Sequence, residues 1–281
     1  MIQAIIDSGS TKADWRILKN DNIFSFRTVG YNPYFISPQE MESIIREEVL
    51  PHFSSMPPER LFFYGAGCAA EGKKKEIMTV LKNCFPTSTI VVETDLMGAA
   101  RALLGNKPGL VAVLGTGTNT GFYNGDNFQE QVEGGGFILG DEGSGAYLGK
   151  LILISWLRKT FSKDTDKDFN NFCPYTRDEI IDAIYRKPFP NRFLARFSHF
   201  AKENLNVPEI HKIINQSFED FFGKIISLYP GYKTLPLNFA GSIASIFNDD
   251  LKQCVEDRKL ILGNIIRSPI DNLVDYHISA G

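Results

Sequence analysis

The first stretch with chemical content is Asp7-Ser8-Gly9-Ser10-Thr11-Lys12, a run of small residues behind an apolar β-prone segment. Glycine and serine let backbone N–H groups approach a phosphate closely, and hydroxyls add donors. Ser10 and Thr11 supply hydroxyls here, and Lys12 can add a charge-assisted contact. Asp7 stands at the strand end, where a carboxylate can hold Mg²⁺ through water. Without a ligand the same residues are a tight hairpin with a solvated lysine. The device returns at Gly115-Thr116-Gly117-Thr118-Asn119, in line with Ser8-Gly9-Ser10-Thr11. Two such loops at equivalent places in a repeat can face each other across a cleft and grip a polyphosphate from both sides. Dinucleotide-binding and Walker loops lead into a helix. Both loops here lead into alternating, strand-like residues, which excludes those readings. Gly65-Ala66-Gly67-Cys68-Ala69-Ala70 has GxGxxA spacing, but Asn83, Pro86 and Thr87 stand where an acid is needed about 20 residues on. It reads as a close strand–helix turn able to line a substrate cleft.

Three further groups complete the candidates. Glu93-Thr94-Asp95 ends a strand and opens a helix, so Asp95 is either an N-cap or a general base. Phosphoryl transfer to an alcohol needs an acceptor for the hydroxyl proton, and a positioned carboxylate provides one. The run from Gly134, Gly135 and Gly136 to Gly140-Asp141-Glu142-Gly143-Ser144-Gly145 is costly in backbone entropy. A backbone that must come close to a ligand explains it better than a bland loop. Asp141 and Glu142 can cap the helix that follows, accept from sugar hydroxyls, or both. Asn32, before Pro33, is either a turn residue or a buried amide that reads a hydroxyl. Gly241-Ser242 follows a strand, and its glycine would let a flat base lie against the backbone.

The elements that must position these groups repeat. Apolar residues 2–6, residues 13–18 and the alternating 23–29 read as three antiparallel strands, with Lys19-Asn20-Asp21-Asn22 as a turn. Ser37-Pro38-Gln39-Glu40 opens a helix running to about Val49. Strands at 61–64 and 89–93 alternate with helices at 71–83 and 96–104. The pattern restarts with strands at 110–114 and Thr120–Asn124, an Asn124-Gly125 turn and alternation through Asn127–Val132. Strands at 235–240 and 259–262 and a helix at 270–278 close it. The expected fold is α/β, duplicated, with two lobes: 1–106, completed by the C-terminal helix 268–281, and 107–267, carrying a helical insert at about 144–232. Thr176-Arg177-Asp178-Glu179 caps one insert helix. The insert is a candidate dimer face, although its phenylalanines read as core.

Composition narrows the class. Of 281 residues 30 are basic and 33 acidic, a formal charge of −3 that lacks the basic footprint of a nucleic-acid binder. No signal peptide and no apolar run long enough for a membrane span is present, so a cytoplasmic protein is expected. The four cysteines lie far apart without CxxC spacing, which disfavours a zinc or iron–sulfur site.

Taken together, DSGSTKAD, ETD, LGTGTN, GGGFILGDEGS, NFAGS and RSPIDNL make the chain resemble the sugar-kinase, actin and heat-shock-chaperone ATPase superfamily. Within it the resemblance is to the BadF/BadG/BcrA/BcrD-type ATPases and their N-acetylglucosamine-kinase branch, over essentially the whole length. It implies a ribonuclease-H-like, actin-like fold whose lobes close over a nucleotide cleft, and an ATP- and Mg²⁺-dependent kinase acting on an amino-sugar hydroxyl. Asp95 would be the base and Asp7 would support Mg²⁺. Ser10, Thr11, Lys12, Gly115, Thr116, Gly117 and Thr118 would hold phosphates, and Gly241 and Ser242 would lie against adenosine. Asn32, Gly134, Gly135, Gly136 and Asp141 would line the sugar pocket. Vertebrate N-acetylglucosamine kinases carry Trp where this run has Gly135, which leaves N-acetylmuramic acid or another hexosamine open beside N-acetylglucosamine. An ATP-driven activator of a radical dehydratase, with Cys68 as the cysteine nearest the cleft, and a non-catalytic sugar sensor are the alternative roles.

Overall fold

A computed structural model describes the chain except Met1, Asp21, Ser54, Ser55 and Gly281. It contains two units, Met1–Asn106 with Ser268–Gly281, and Lys107–Arg267.

In the first unit β1 (Ile2–Ser8), β2 (Lys12–Lys19) and β3 (Asn22–Val29) form antiparallel pairs, while β4 (Arg60–Gly65) and β5 (Thr89–Thr94) run parallel to β1. The sheet order is β3-β2-β1-β4-β5. Ala4, Ile5 and Ile6 are all fully buried, as a central strand covered on both faces requires. Helices α1 (Pro38–Ile44), α2 (Glu71–Cys84), α3 (Asp95–Leu104) and α13 (Ile270–Ala280) complete the unit. In α2 the buried Ile77, Val80, Leu81 and Cys84 recur at the spacing of one helical face. The expected helix to Val49 starts as read, with Ser37 accepting from Glu40 N. It does not stay α-helical, because Ile45–Val49 widens into a π turn and Leu50–Phe53 tightens into a 3₁₀ turn. Pro51 has no N–H to offer an α-helix, and the altered turns leave Ile45, Val49 and Phe53 all buried. At the β2–β3 turn Asn20 takes φ 54°, which asparagine tolerates; Asp21 lies outside the described residues.

The second unit repeats the plan with β6 (Gly109–Leu114), β7 (Thr118–Tyr123), β8 (Phe128–Glu130), β9 (Pro236–Ala240) and β10 (Ile261–Ile266) in the order β10-β9-β6-β7-β8. Helix α4 (Gly136–Leu139) lies in the glycine run. The insert comprises α5 (Gly145–Leu157), α6 (Lys163–Phe172), α7 (Arg177–Tyr185), α8 (Pro190–Ala195), α9 (Ser198–Glu203) and α10 (Pro208–Lys224); α11 (Ser242–Ile246) and α12 (Asn248–Asp257) follow β9. Phe197, Phe200, Phe218, Phe221 and Phe222 of the insert are core, and Phe193 packs against them.

Two expected strands change. The alternation over Asn127–Val132 yields only Phe128–Glu130, because Val132 N leaves the ladder to donate to the Tyr229 hydroxyl at 2.8 Å. The last strand starts at Ile261 rather than Lys259. Lys259 has φ 54° and Leu260 N bonds back to Val255 O, so these residues close α12 instead. No helix among the described residues is long and apolar enough to cross a membrane.

Candidate active site

In the first unit the parallel strands β1, β4 and β5 end side by side. The register pairs Asp7 with Tyr64 and Gly65 with Thr94. This brings Asp7, at the end of β1, and Asp95, the first residue of α3, to one edge of the sheet. Thr94 is the N-cap of α3, its hydroxyl accepting from Met97 N at 3.1 Å. Asp95 is therefore released from the capping reading and sits in the first turn of α3. Burial is the main force that pushes the Asp7 carboxyl up to about 7, and the negative charge of Asp95 adds to it against a hydrogen bond from Ser268 Oγ.

The first phosphate loop is held from below. Gly9 N bonds Lys12 O at 2.9 Å, and Ser8 Oγ accepts from Tyr31 N. A Cβ on Gly30 would lie 2.2 Å from Gly9 O and 2.8 Å from Ser10 C and Thr11 N, so only glycine fits beneath the loop. Thr11 is exposed, as a ligand-facing hydroxyl would be. Lys12 Nζ pairs with Asp14 at 2.6 Å, yet its side chain remains half exposed. Asn32 is buried; its amide donates to Ser10 Oγ at 2.7 Å and accepts from Tyr34 N at 3.0 Å. The turn reading and the recognition reading of Asn32 thus meet in one side chain tied to the phosphate loop. Gly67, at φ 82°, lets the Gly65–Cys68 turn close over that amide.

In the second unit the phosphate loop and the glycine run are one structure. Thr118 N donates to Asp141 Oδ1 at 3.2 Å, and Thr118 Oγ1 to Glu142 O at 2.7 Å. Asp141 N closes onto Gly134 O at 2.7 Å. A Cβ on Gly117 would be 2.9 Å from Asp141 Oδ2, and one on Gly134 would be 2.5 Å from Thr118 O. Gly135 and Gly136 take φ 76° and 69°, which a side chain would strain. Ser144 caps α5, whose first amides reach Gly115 O at 2.8 Å and Thr116 O at 3.1 Å. Gly241, at φ 117°, packs on the carbonyl of Leu114 at the end of β6, and Ser242 beside it is exposed. Around Glu142, Lys224 bridges to Asp220 at 3.2 Å, and Lys150 lies over the Tyr147 ring at 4.5 Å.

Asp141 is itself strained at φ 61° and buried, and burial is the main cause that pushes its carboxyl up to about 6. A carboxyl whose folded pKa exceeds its unfolded value stabilises the fold fully below the unfolded pKa. That contribution is lost as pH rises through the folded pKa. With the ordinary value at 3.8, the loss between pH 4 and pH 7 is on the order of 3 kcal/mol. Asp141→Asn carries no such penalty and can still accept from Thr118 N. Its melting temperature is expected to gain on wild type between pH 4 and pH 8; parallel curves would contradict the burial argument.

Sequence reasoning named Asp7, Asn32, Asp95 and Asp141 but missed what holds them. Ser268 reaches Asp7 from the far end of the chain, and Gly30 and Gly67 act only through clearance. No local pattern marks such roles, although the RSPIDNL segment contains Ser268.

No protein-family model and no curated protein matches the sequence. Solved structures do. A Porphyromonas gingivalis protein provisionally named an N-acetylglucosamine kinase is 38% identical and superposes with TM-score 0.93, 99% of each chain being covered. A second protein so named, from Chromobacterium violaceum, shares 17% identity at TM-score 0.71 over 98% of each chain. A ROK-family glucokinase from Streptomyces griseus, solved with glucose and AMPPNP, shares 13% at TM-score 0.53 over 98% of each chain. The last two attest the fold alone. Duplicated sheets with a phosphate-type loop after the first strand of each define the actin-like fold, and the likeness to the 38% identical protein puts the chain among the ATP-dependent sugar kinases of that fold. Within it, the chain belongs to the BadF-type, N-acetylglucosamine-kinase-like family.

Proposed function

We propose that this chain transfers the γ-phosphoryl group of ATP to a hydroxyl of an amino sugar, the 6-hydroxyl of N-acetylglucosamine being the first choice. One observation carries the reading beyond the fold: the hydrogen bond between Thr118 N and Asp141 Oδ1, which joins a phosphate-type loop to a buried carboxylate suited to sugar hydroxyls. Asp141 accepts from the sugar and orients it. Asp95 takes the proton of the attacking hydroxyl, which forms its bond to the γ-phosphorus as the bond to the β-phosphate oxygen breaks. Thr11 and Thr116 donate to phosphate oxygens, and Gly241 and Ser242 receive the adenosine; Thr118, expected from the sequence to hold phosphate as well, has its N–H and its hydroxyl committed to Asp141 and Glu142 and instead ties the loop to the glycine run.

Asp7 fits a magnesium ion. Its carboxyl, raised by desolvation and further by Asp95, is a hard oxygen donor short of positive charge. The described residues hold no cluster of three or more His, Cys, Asp or Glu side chains. Mg²⁺ in kinases is held by one or two carboxylates and the substrate phosphates rather than by a protein cage. The ion, when bound, neutralises charge on the transferring phosphoryl group.

The dehydratase-activator role needs cysteine thiolates to hold a cluster. Burial and the nearby Asp95 push the Cys68 thiol up to about 12, the opposite of what ligation requires. The proposal is tested by ADP release from Mg-ATP across N-acetylglucosamine, N-acetylmuramic acid, glucosamine and glucose. An N-acetylated hexosamine is expected to give the highest kcat/KM. A chain that binds ATP but releases no extra ADP with any sugar is not this kinase.

A further inference from the structure

Phosphoryl transfer as described above leaves unused a buried polar group of the first unit, the hydroxyl of Tyr64. Tyr64 is fully buried in β4, opposite Asp7 of β1 in the sheet register. Its ring and its hydroxyl hold two different helices.

The ring is the seat of α3. A Cβ on Gly98 would lie 2.9 Å from Tyr64 Cβ and 3.0 Å from its Cγ, so the helix backbone rests directly on this side chain. One turn later Arg101 Nη1 donates to the Tyr64 hydroxyl at 3.0 Å. Asp95, Gly98 and Arg101 recur every third residue, the spacing of neighbours along one helical face. Tyr64 therefore grips α3 along the stripe that starts at Asp95.

The hydroxyl also reaches α13. It lies 2.9 Å from His277 Nε2, and that imidazole stacks on Phe62 at 3.7 Å. The chemistry of the groups fixes the direction of both bonds. A guanidinium only donates, so the Tyr64 oxygen accepts from Arg101 and its proton goes to His277. His277 can accept because it is neutral: burial first, then the charges of Arg101 and Arg60, push its pKa down to about 4. Helix α13 begins two residues after Ser268, whose hydroxyl bonds Asp7 at 3.2 Å. One hydroxyl thus ties the helix that opens with Asp95 to the helix whose lead-in touches Asp7.

We propose that Tyr64 is a positioning residue for phosphoryl transfer, its hydroxyl holding Asp95 and Asp7 in fixed relation through Arg101 on α3 and His277 on α13. This rests on the reading of Asp95 as the general base. Tyr64 acts only through the two helices and touches no substrate.

The test is Tyr64→Phe, which keeps the ring under Gly98 and removes only the hydroxyl. Kinetics are measured well below the melting temperatures of both proteins, so that every molecule is folded. We expect kcat to fall about tenfold or more, since misplacing catalytic groups by about 1 Å costs on the order of 100-fold, while KM for ATP and for N-acetylglucosamine stays within about twofold. In an Asp95→Asn background the same substitution should cost less than about twofold, because the group it positions is gone. Nitrogen NMR of His277 gives a readout apart from turnover. Wild type is expected to carry the ring proton on Nδ1, and Tyr64→Phe to shift the ring towards the Nε2–H tautomer. Unchanged kcat in Tyr64→Phe, an equal loss in both backgrounds, or an Nε2–H ring in wild type would each overturn the proposal while leaving the kinase reading intact. A wild type inert towards every sugar would end that reading and this proposal with it.

Discussion

Asp95→Asn is expected to lower sugar-dependent ATP turnover by about 10²–10⁴, the usual worth of a positioned general base. Affinities for ATP and sugar should stay close to wild type. The substitution removes the proton acceptor and keeps the shape of the side chain. Thr94, not Asp95, caps α3. Asparagine retains an oxygen to accept from Leu96 N, which Asp95 does at 2.9 Å. Loss of one negative charge also relieves Asp7, so the variant should fold at least as well. Steady-state kinetics paired with calorimetric binding separates the cases. A collapse in kcat with binding retained supports the base. A variant within a few fold of wild type would return Asp95 to a purely structural role.

Gly30→Ala should produce the second large loss, by geometry alone. The new methyl has nowhere to go: its nearest neighbours at 2.2–2.8 Å are backbone atoms of Gly9, Ser10 and Thr11, which cannot rotate aside as a side chain would. The loop must lift, at a stability cost of about 1–3 kcal/mol typical of overpacking. Misplacing catalytic groups by about 1 Å costs on the order of 100-fold in rate. The expected variant is folded, with a lowered melting temperature, weakened ATP binding and kcat reduced about 100-fold, while sugar affinity changes less. Unaltered ATP binding would show that the loop between β1 and β2 does not touch nucleotide.

Much of this architecture is visible in local pattern. An apolar run broken by small hydroxylated residues and resumed as alternation occurs twice, and both sheets place it after their first strand. The Thr176 capping box needs only residues three apart and forms with both of its hydrogen bonds. What escapes is decided by partners far along the chain or by clearance. Ser268 meets Asp7 across 261 positions, and Thr118 meets Asp141 across 23. In Glu93-Thr94-Asp95 two adjacent residues can each cap a helix, and only the backbone geometry chooses Thr94. At the end of α12, Lys259 and Leu260 read as strand, but the helix claims them for its own closure.

The most direct test of the account is to follow the phosphorus. Wild-type chain, Mg-ATP and N-acetylglucosamine are incubated together and the products resolved by ³¹P and ¹H NMR. The account predicts ADP and a phosphomonoester on the sugar in equal amounts, with the ester coupled to the protons at carbon 6. ATP consumed to ADP and inorganic phosphate, with the sugar unchanged, would contradict it and mark the chain as an ATPase rather than a kinase.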